Sequence, residues 1–566
     1  MLNRSIFCAG LLVLTLAPSA NAVETLWSIG QTNQSSADLA LGANHPDREF
    51  IHRFPQDPFF IIGRSDPKND WPAIQPGPAD AWANQRTHTF TIAFGLGTPV
   101  AGTCRLILDL VNAQSPSPPQ VVISINNKLL PVQRPLRGNG DDVLDNHPEK
   151  GRHQSLTFEF PGEFLQTNNL ISIKTENGSW IIYDALRLET PDGAVLEQPK
   201  GIILGMITAD DSLTGSDQAP KQTLHVPIYR FALPSITAPV TATLNDGRGS
   251  SQQVEVKPGS QTVDFAVPAV NQSTWLTVSL AAEDGTYTAA PVEMNYMRKW
   301  TVYVLPHSHH DRGYTDIQPH IVNKQIHNLD LALDEINRTK DYPPGARFIW
   351  NTEVLWSMDD YLTYHPEKES QLISAIRNGT LYPDDWYANE LTGLCRPEEL
   401  LHLSAFSLKL AEKTGVPVDS AMISDVPGLS WGCIQALNEA GVHYLSDGPN
   451  YFDRIGHTLV DTEDKPFYWL SPSGNNKVLV WTPWKGYALA AVLGPLQRSQ
   501  EQLISHLEKL EENHYPYDMV YIRWSGFGDN APPDDSLASF VKNWNQTHIS
   551  PQFIIASTST AFHALE

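Results

Sequence analysis

The spacing of apolar residues changes near Lys299, and this change constrains the fold more than any other feature of the chain. Before it, short alternating or β-branched runs lie between Pro, Gly, Asn and Asp, which is typical of antiparallel strands. After it, short apolar runs alternate with helical spacing, as at Val322, Ile326 and Leu329. Strands that alternate with helices indicate a parallel sheet covered by helices. The sequence therefore predicts a multidomain protein with a β-rich first part and an α/β last part.

The length of 566 residues also indicates several domains, since one domain usually holds about 100 to 200 residues. We expect a β-sandwich over residues 23–199, where strand patterns recur between turn residues. A second sandwich, immunoglobulin-like or fibronectin-like, is predicted over residues 200–298. About seven parallel strands over residues 299–566 are compatible with a barrel or an open doubly wound sheet, and the prediction is an α/β barrel of seven strands.

Residues 1–22 have the pattern of an export signal. Arg4 gives a basic start, residues 6–16 form an apolar run, and Ala20-Asn21-Ala22 is typical of a cleavage site. The mature protein is therefore predicted to begin at Val23 and to be secreted or periplasmic. No later stretch approaches the roughly 20 apolar residues that a membrane span needs, so none is predicted.

Acidic residues exceed basic residues, 63 against 39, and the formal net charge is -24. A polyanionic partner such as nucleic acid is therefore disfavoured. The cysteines beyond the signal are Cys104, Cys395 and Cys433, which are too few for a disulfide framework. Cys395 and Cys433 share a predicted domain and could pair, but ordinary buried thiols are the preferred interpretation. The sequence predicts no particular oligomeric state.

Polar side chains follow the first strand of the predicted barrel. In parallel α/β domains, the carboxyl ends of the strands converge on one crevice, so functional residues are expected there. Residues 301–305 form an apolar run that is followed by His309 and Asp311. Extended residues two apart point to the same side, so His309 and Asp311 can face a common ion. In the other register, His307 and His309 would present two imidazoles to the ion.

Two later strands also end in an acid. Asp425 follows the predicted strand 418–423, and Asp529 follows the predicted strand 519–523. A lone His or a turn Asp is usually structural. Their joint occurrence at three strand ends favours one site, in which His309, Asp311, Asp425 and Asp529 hold zinc or a similar divalent metal.

The residues at these strand ends carry a family resemblance. The run Pro306-His307-Ser308-His309-His310-Asp311 and the run Ser424-Asp425-Val426-Pro427-Gly428 resemble motifs of the family 38 glycoside hydrolases, the α-mannosidases. Order and spacing agree across about residues 300–565. The first predicted sandwich resembles the carbohydrate-binding-like sandwich of rhamnogalacturonan lyases, through Leu26-Trp27-Ser28-Ile29-Gly30 and Tyr183-Asp184-Ala185-Leu186-Arg187-Leu188. A sandwich of this kind that binds nothing is an equally good interpretation.

The resemblance implies a metal-dependent, retaining glycoside hydrolase that acts on α-linked oligosaccharides or polysaccharides. It makes His309 and Asp311 zinc ligands, and Asp425 both a ligand and the nucleophile. The better-known relatives supply a late His as the fourth ligand, and this chain has no matching His. Asp529 lies at the corresponding strand end and is the candidate. Candidates for the acid/base carboxyl are Asp447, Asp453 and Glu390.

Two other functions stay open at the level of sequence. One is a metal-dependent polysaccharide deacetylase, which uses an Asp/His-held metal on a similar α/β barrel to activate water. The other is a non-catalytic carbohydrate-binding protein with a decayed barrel. The end of the chain at Glu566, where family members continue, favours inactivity, whereas the presence of His309, Asp311 and Asp425 favours an enzyme.

Overall fold

A computed structural model describes most of the chain beyond the predicted export signal. The described residues are 23–42, 45–54, 57–83, 86–145, 147–231, 238–450 and 461–566. The predicted signal 1–22 and the acid/base candidate Asp453 lie outside them.

Contacts divide the chain into two compact units. Unit 1 comprises the described residues up to Thr208 together with 225–265 and 275–292, and unit 2 comprises 209–224, 266–274 and 293–566. The predicted domain boundaries at residues 199 and 298 stay predictions.

Unit 1 begins with two packed sheets. Their strands are β1 (Val23–Gly30), β2 (Phe59–Ile61), β3 (Ile74–Gln75), β4 (His88–Leu96), β5 (Thr103–Ala113), β6 (Gln120–Ile125), β7 (Lys128–Leu129), β8 (Gln154–Pro161), β9 (Asn168–Glu176), β10 (Ile181–Pro191) and β11 (Leu196–Glu197). Two helices lie between the early strands, α1 (Pro46–Arg53) and α2 (Pro67–Asp70). One sheet has the order β1-β10-β5-β8 with β3 beside β10, and the other has the order β11-β4-β9-β6-β7 with β2 beside β4.

Strand alternation builds the core between these two sheets. Phe90 and Ile92 of β4 are buried, and so is Leu108 of β5 on the facing sheet. Side chains at every second position of a strand share a face, so these residues meet in one apolar layer. The prediction of a β-rich first part is confirmed.

A second set of strands follows. These strands are β12 (Gly201–Leu204), β13 (Thr208–Ala209), β14 (Leu213–Ser216), β15 (Ala219–Phe231), β16 (Val240–Asn245), β17 (Ser251–Val256), β18 (Gly259–Pro268), β19 (Thr274–Leu276), β20 (Ser279–Ala282), β21 (Gly285–Thr288) and β22 (Val292–Met294). Within unit 1, β17-β16-β20-β21 form an antiparallel sheet.

Unit 2 carries the predicted alternation of strands and helices. Its strands are β23 (Thr301–Pro306), β24 (Trp350–Thr352), β25 (Leu381–Pro383), β26 (Ser420–Ser424), β27 (Tyr444–Gly448), β28 (Phe467–Leu470), β29 (Lys477–Trp481), β30 (Met519–Trp524), β31 (His548–Ser550) and β32 (Gln552–Ile555). Its helices are α3 (Gln318–Thr339), α4 (Trp356–Tyr364), α5 (Glu369–Arg377), α6 (Pro397–His402), α7 (Ala405–Thr414), α8 (Cys433–Glu439), α9 (Leu489–Leu493), α10 (Leu496–Glu512), α11 (Leu537–Thr547) and α12 (Thr558–Leu565). Within this unit, β14 pairs with β31.

The prediction of a closed seven-stranded barrel is not confirmed. Among the described residues, the parallel strands form three separate ladders, β30-β23-β32, β24-β25 and β26-β27-β29, and β28 adds to the last in antiparallel orientation. A single bridge between Asp385 and Ala421 links β25 to β26. The sheets therefore do not close through backbone hydrogen bonds.

Buried side chains join the ladders where backbone pairing is missing. Asn351 of β24 donates from Nδ2 to the carbonyls of Pro306 and Ala556, at 3.2 and 3.0 Å, and accepts from the Thr558 N–H. Asp384 accepts hydrogen bonds from the hydroxyls of Ser420 and Thr558. These side chains bring the carboxyl ends of the strands to one edge without a continuous sheet.

Helix α3 shows how the apolar pattern builds the core of unit 2. Val322, Ile326 and Leu329 are buried on one face of the helix, as their spacing predicts.

Two expectations about the chemistry of the chain can be compared with the structure. Cys104, Cys395 and Cys433 are free thiols. Across the ranges that the structure describes, no helix has the length and apolar character needed to cross a bilayer.

Truncation of Leu329 should destabilise unit 2. Leu329 is 2 % exposed, so Leu329→Ala removes buried methyl groups and should lower the free energy of unfolding by about 2 to 5 kcal/mol. Leu401→Ala is the matched control, because Leu401 is 49 % exposed and should change stability by less than about 0.5 kcal/mol. Scanning calorimetry measures both variants. Equal shifts in the two variants would contradict the burial of this helix face.

Candidate active site

Three of the four predicted ligands lie together at the strand ends of unit 2. His309 and Asp311 follow β23, and Asp425 follows β26. The candidate ligand atoms of these three residues all lie within 4.8 Å of one another. His309 Nε2 lies 3.1 Å from Asp311 Oδ1 and 4.0 Å from Asp425 Oδ2. The register that pairs His309 with Asp311 is therefore the one the structure has.

Asp529 lies close to this group but outside it. It follows β30, its side chain is exposed, and the set of mutually close ligand atoms does not include it. Partial burial raises the pKa of Asp529, and the charges of Asp311 and Asp425 raise it further, against the opposing effect of His309. The charges of the other three residues therefore act on the Asp529 carboxyl.

The three clustered residues fit a divalent metal ion. Asp311 Oδ2 is buried and has no hydrogen-bond partner among the described residues, as expected of an atom whose partner is an ion. One imidazole nitrogen and carboxylate oxygens form a donor set that suits zinc and similar ions. Asp311 and Asp425 are 15 % and 18 % exposed, so the cluster is open to solvent on one side.

A buried carboxylate, that of Glu353, supports the cluster from below. Glu353 Oε1 accepts from His309 Nδ1 at 2.9 Å and from Asn389 Nδ2 at 2.7 Å. Glu353 Oε2 accepts from Arg523 Nη2 at 2.9 Å and from the Ser424 hydroxyl. Because Nδ1 of His309 is held in this way, Nε2 faces the two aspartates. We call these five residues the Glu353 network.

His307, the alternative ligand, has a different place. Its ring is fully buried, with Nδ1 3.1 Å from Glu353 Oε2, and Arg523 Nε donates to its Nε2 at 3.3 Å. Burial and then the Arg523 charge lower the pKa of His307 to about 4, so the ring is neutral. His307 therefore belongs beneath the site and does not face the two aspartates.

The sequence of the α/β part can now be assigned. Residues 299–566 match the family model described as Glycosyl hydrolases family 38 N-terminal domain. We call this matched segment the family 38 domain. Residues 25–188 match the model described as CBM-like, polysaccharide lyase family 4, domain III. Both predicted resemblances are confirmed.

Solved structures that match part of this chain include two family 38 proteins. A family 38 protein from Enterococcus faecalis is 16% identical over 48% of this chain and 28% of its own, with a TM-score of 0.36. An alpha-mannosidase from E. faecalis V583 is 17% identical over 47% of this chain and 29% of its own, with a TM-score of 0.37. This chain thus spans less than a third of either protein. No protein with a curated description matches the chain.

Backbone strain marks the edge of the family 38 domain that carries these residues. Asp425 has φ 59°, in the left-handed region that non-glycine residues rarely adopt. Trp386, Lys485 and Asn530 also have positive φ, and they too follow strands of this domain. Such residues cost roughly 1 to 3 kcal/mol each and concentrate at functional sites.

The strained Asp425 is held by its neighbours on the next strand. Its backbone N–H donates to the carbonyl of Gly448 at 3.0 Å, and Asn450 Nδ2 donates to its Oδ1. A Cβ on Gly448 would lie 2.3 Å from Arg523 Nη1, so the space that a side chain would take is filled by the guanidinium. Gly448 is therefore required where Arg523 crosses the interior.

Sequence reasoning assigned no role to Glu353, Arg523 or Tyr487. Glu353 directly follows β24, so the strand-end rule that found the other residues also applies to it. The Tyr487 ring lies 4.5 Å from the His309 ring, between centroids, and forms a wall of the site. Burial and then the charge of Asp425 raise the pKa of Tyr487, so its hydroxyl stays protonated.

The acid/base candidates occupy different surroundings. Asp447 lies in β27 between Ser446, which contacts Tyr521, and Gly448, which faces Arg523. Burial raises the pKa of Asp447 to about 6, against the opposing effect of the Arg523 charge. Glu390 is exposed and follows Asn389.

Removal of the Glu353 charge should weaken the site. Glu353→Gln leaves the buried Arg523 charge uncompensated, which should cost about 3 to 5 kcal/mol of stability. It also releases His309 from its fixed orientation, so zinc affinity should fall about 10- to 100-fold. Competition with a chromophoric chelator measures the affinity. Glu439→Gln, on the exposed end of α8, is the control and should leave zinc affinity unchanged.

Zinc binding by the family 38 domain should release a proton. Burial alone would lower the pKa of His309, but Glu353 and Asp311 outweigh it and raise the pKa from 6.5 to about 10. The metal-free imidazole is therefore protonated near pH 7.5, and a metal must displace that proton. Calorimetry in buffers of different ionisation enthalpy should show about one proton released per zinc, with zinc affinity rising about tenfold per pH unit.

The raised pKa of His309 also determines how the stability of the domain changes with pH. Since the folded-state pKa of His309 is raised, its contribution to stability is complete below about pH 6.5 and is lost as the pH rises towards 10. Zinc binding without proton release, or with an affinity that falls as the pH rises, would contradict the charged state of His309.

Proposed function

We propose that this chain is a metal-dependent, retaining glycoside hydrolase of the α-mannosidase type that acts on α-linked glycans. The observation that carries the proposal is the convergence of His309, Asp311 and Asp425 at the strand ends of a family 38 domain. The domain match supports the reaction class, and the carbohydrate-binding-like match supports a glycan substrate. Export by the segment 1–22 is part of the proposal.

His309, Asp311 and Asp425 would hold a zinc ion. When bound, zinc would supply Lewis-acid chemistry, which keeps a neighbouring carboxylate ionised and binds sugar hydroxyls. Asp529 remains the proposed fourth ligand, because the charges of the other three residues act on its carboxyl.

Asp425 is the proposed nucleophile. Its backbone conformation and the hydrogen bond from Asn450 to Oδ1 fix the direction of the carboxylate. The other oxygen, Oδ2, lies 4.0 Å from His309 Nε2, and the Asp425 side chain is 18 % exposed. A fixed carboxylate can attack C1 of a bound sugar and form a covalent glycosyl intermediate, which water then releases with retention of configuration.

The leaving oxygen must receive a proton from a second carboxyl, roughly 5 Å from the nucleophile in retaining enzymes. Asp447 is a candidate whose pKa burial raises to about 6, and Asp453 lies outside the described residues. Glu390 follows Asn389, whose side chain donates to Glu353 and accepts from the Ser424 N–H at 3.0 Å. Glu390 is exposed beside this residue, so Asp447 and Glu390 are the proposed acid/base residues within the described part of the chain.

The surroundings of His307 bear on the deacetylase alternative. A deacetylase of this kind would need a second imidazole in the metal group, at a suitable spacing from the first. His307 is instead enclosed between Glu353 and Arg523. The geometry therefore favours the glycosidase.

Substitution of Asp425 tests the proposal. Asp425→Asn keeps the shape of the side chain but removes the anionic oxygen needed for the covalent step, so turnover of an aryl α-mannoside should fall at least about a thousandfold. Asp535→Asn, at an exposed acid of the same domain, is the matched control and should keep full activity. Release of aryl alcohol gives the rate, and proton NMR gives the anomeric configuration of the first product.

Three outcomes would count against the mechanism. Activity that survives Asp425→Asn, or a product of inverted configuration, would remove Asp425 as the nucleophile. Release of acetate from acetylated polysaccharide, without glycoside cleavage, would instead support the deacetylase.

A further inference from the structure

A polar cleft of about 640 Å³ lies in unit 1, in a part of the fold that the proposed reaction does not use. Its floor is the face of β4 and β9 that points away from the apolar core. Thr89 pairs with Lys174 and Thr91 pairs with Ser172 across the two strands, so all four side chains share this face. The intervening residues, such as Phe90, point into the core. The cleft is therefore built on a rigid, fully paired part of the sheet.

The opposite wall comes from later strands of unit 1. His225, Pro227 and Tyr229 of β15 line it, together with residues 260–262 of β18. The Tyr229 ring stacks on Phe59 at 4.4 Å between centroids and 8° between planes. The side chains that line the cleft are mostly hydroxyls and cations, which suits a ligand rich in oxygen atoms. Its volume lies within the range of small-ligand sites, about 300 to 1,000 Å³.

An arginine is held in place at one end of the cleft. Arg86 Nη2 lies 2.8 Å from Asp57 Oδ1, and Arg86 Nη1 lies 3.3 Å from Asp57 Oδ2. Asp57 also accepts from His88 Nδ1 at 2.8 Å and from the Thr89 N–H at 2.6 Å. The Arg86 side chain remains 35 % exposed. A guanidinium fixed on one edge can present its other N–H groups to a ligand without a further loss of side-chain freedom.

Two formal positive charges, Arg86 and Lys174, line the cleft, whereas Asp57 is the one acid among the described lining residues, and donors already surround its oxygens. Lys174 is 29 % exposed, and its Nζ lies 2.6 Å from Glu176, which is not part of the lining. Acids outnumber bases in the whole chain, 63 against 39, whereas two bases and one acid line the cleft. An anionic group on the ligand would complement it.

We propose that this basic cleft, defined by Arg86, Thr89, Ser172, Lys174 and Tyr229, binds glycans that carry carboxylate groups, such as oligosaccharides of uronic acids. The hydroxyls of the floor match sugar hydroxyls, and the two cations match the carboxylates. The proposal does not depend on the glycosidase mechanism, because no residue of the cleft belongs to the family 38 domain.

Calorimetric titration of the full chain with trigalacturonate and with the neutral galactose trisaccharide tests the proposal. Trigalacturonate should bind at least about tenfold more tightly than the neutral sugar. Lys174→Gln should weaken this binding about tenfold, because a charge-assisted hydrogen bond is lost. Glu176→Gln should strengthen it severalfold, since it frees Lys174 from its partner. Lys68→Gln makes the same change of charge at an exposed lysine of unit 1 and should have no effect.

The opposite responses of Lys174→Gln and Glu176→Gln keep the test independent of folding, since a misfolded variant cannot gain affinity. Three results would overturn the proposal: no binding of trigalacturonate, equal binding of the neutral trisaccharide, or the same loss of affinity in Lys68→Gln as in Lys174→Gln.

Discussion

The buried ion pair between Glu353 and Arg523 is the interaction on which the site in unit 2 depends. Both side chains are 0 % exposed, so each charge must be compensated inside the protein. Glu353 also accepts a hydrogen bond from His309 Nδ1, and Arg523 also donates to the carbonyl of Ile423 at 2.7 Å. Because these residues come from or directly follow β23, β24, β26 and β30, one pair of charges fixes four strand ends relative to one another.

In this domain, hydrogen bonds of buried polar side chains link the ladders that a closed sheet would join through its backbone. The ladders β24-β25 and β26-β27-β29 meet through one backbone bridge, and Asn351 and Asp384 supply the remaining links. Burial raises the pKa of Asp384 well above its ordinary value, which favours a neutral carboxyl that can also donate a hydrogen bond. A neutral acid avoids the cost of a second buried charge next to the Glu353 network. The sheet is therefore interrupted where buried polar side chains supply the links between the ladders.

The strand-end rule explains which residues could be predicted from the sequence. His309, Asp311 and Asp425 were accessible because the carboxyl ends of parallel strands meet at one edge, whether or not the sheet closes. Glu353 was missed because the strand that it follows, β24, has only three residues and is too short to show a clear apolar pattern. Arg523 has the position of an ordinary strand residue, and its role depends on the absence of a side chain at Gly448, 75 positions earlier. Such a contact has no local signal in the sequence.

The charge balance of the site explains why a metal and a proton compete for it. Asp311 and Asp425 place two carboxylates beside one imidazole, and Glu353 lies on the other side of that imidazole. Without a metal, the proton on His309 is the nearest positive charge that can offset the two aspartates, since Arg523 is committed to Glu353. A divalent ion brings more positive charge to the same place and needs the nitrogen that the proton occupies. The Glu353 network therefore fixes the geometry of the ligands. It also stabilises the proton on His309, which the metal must displace.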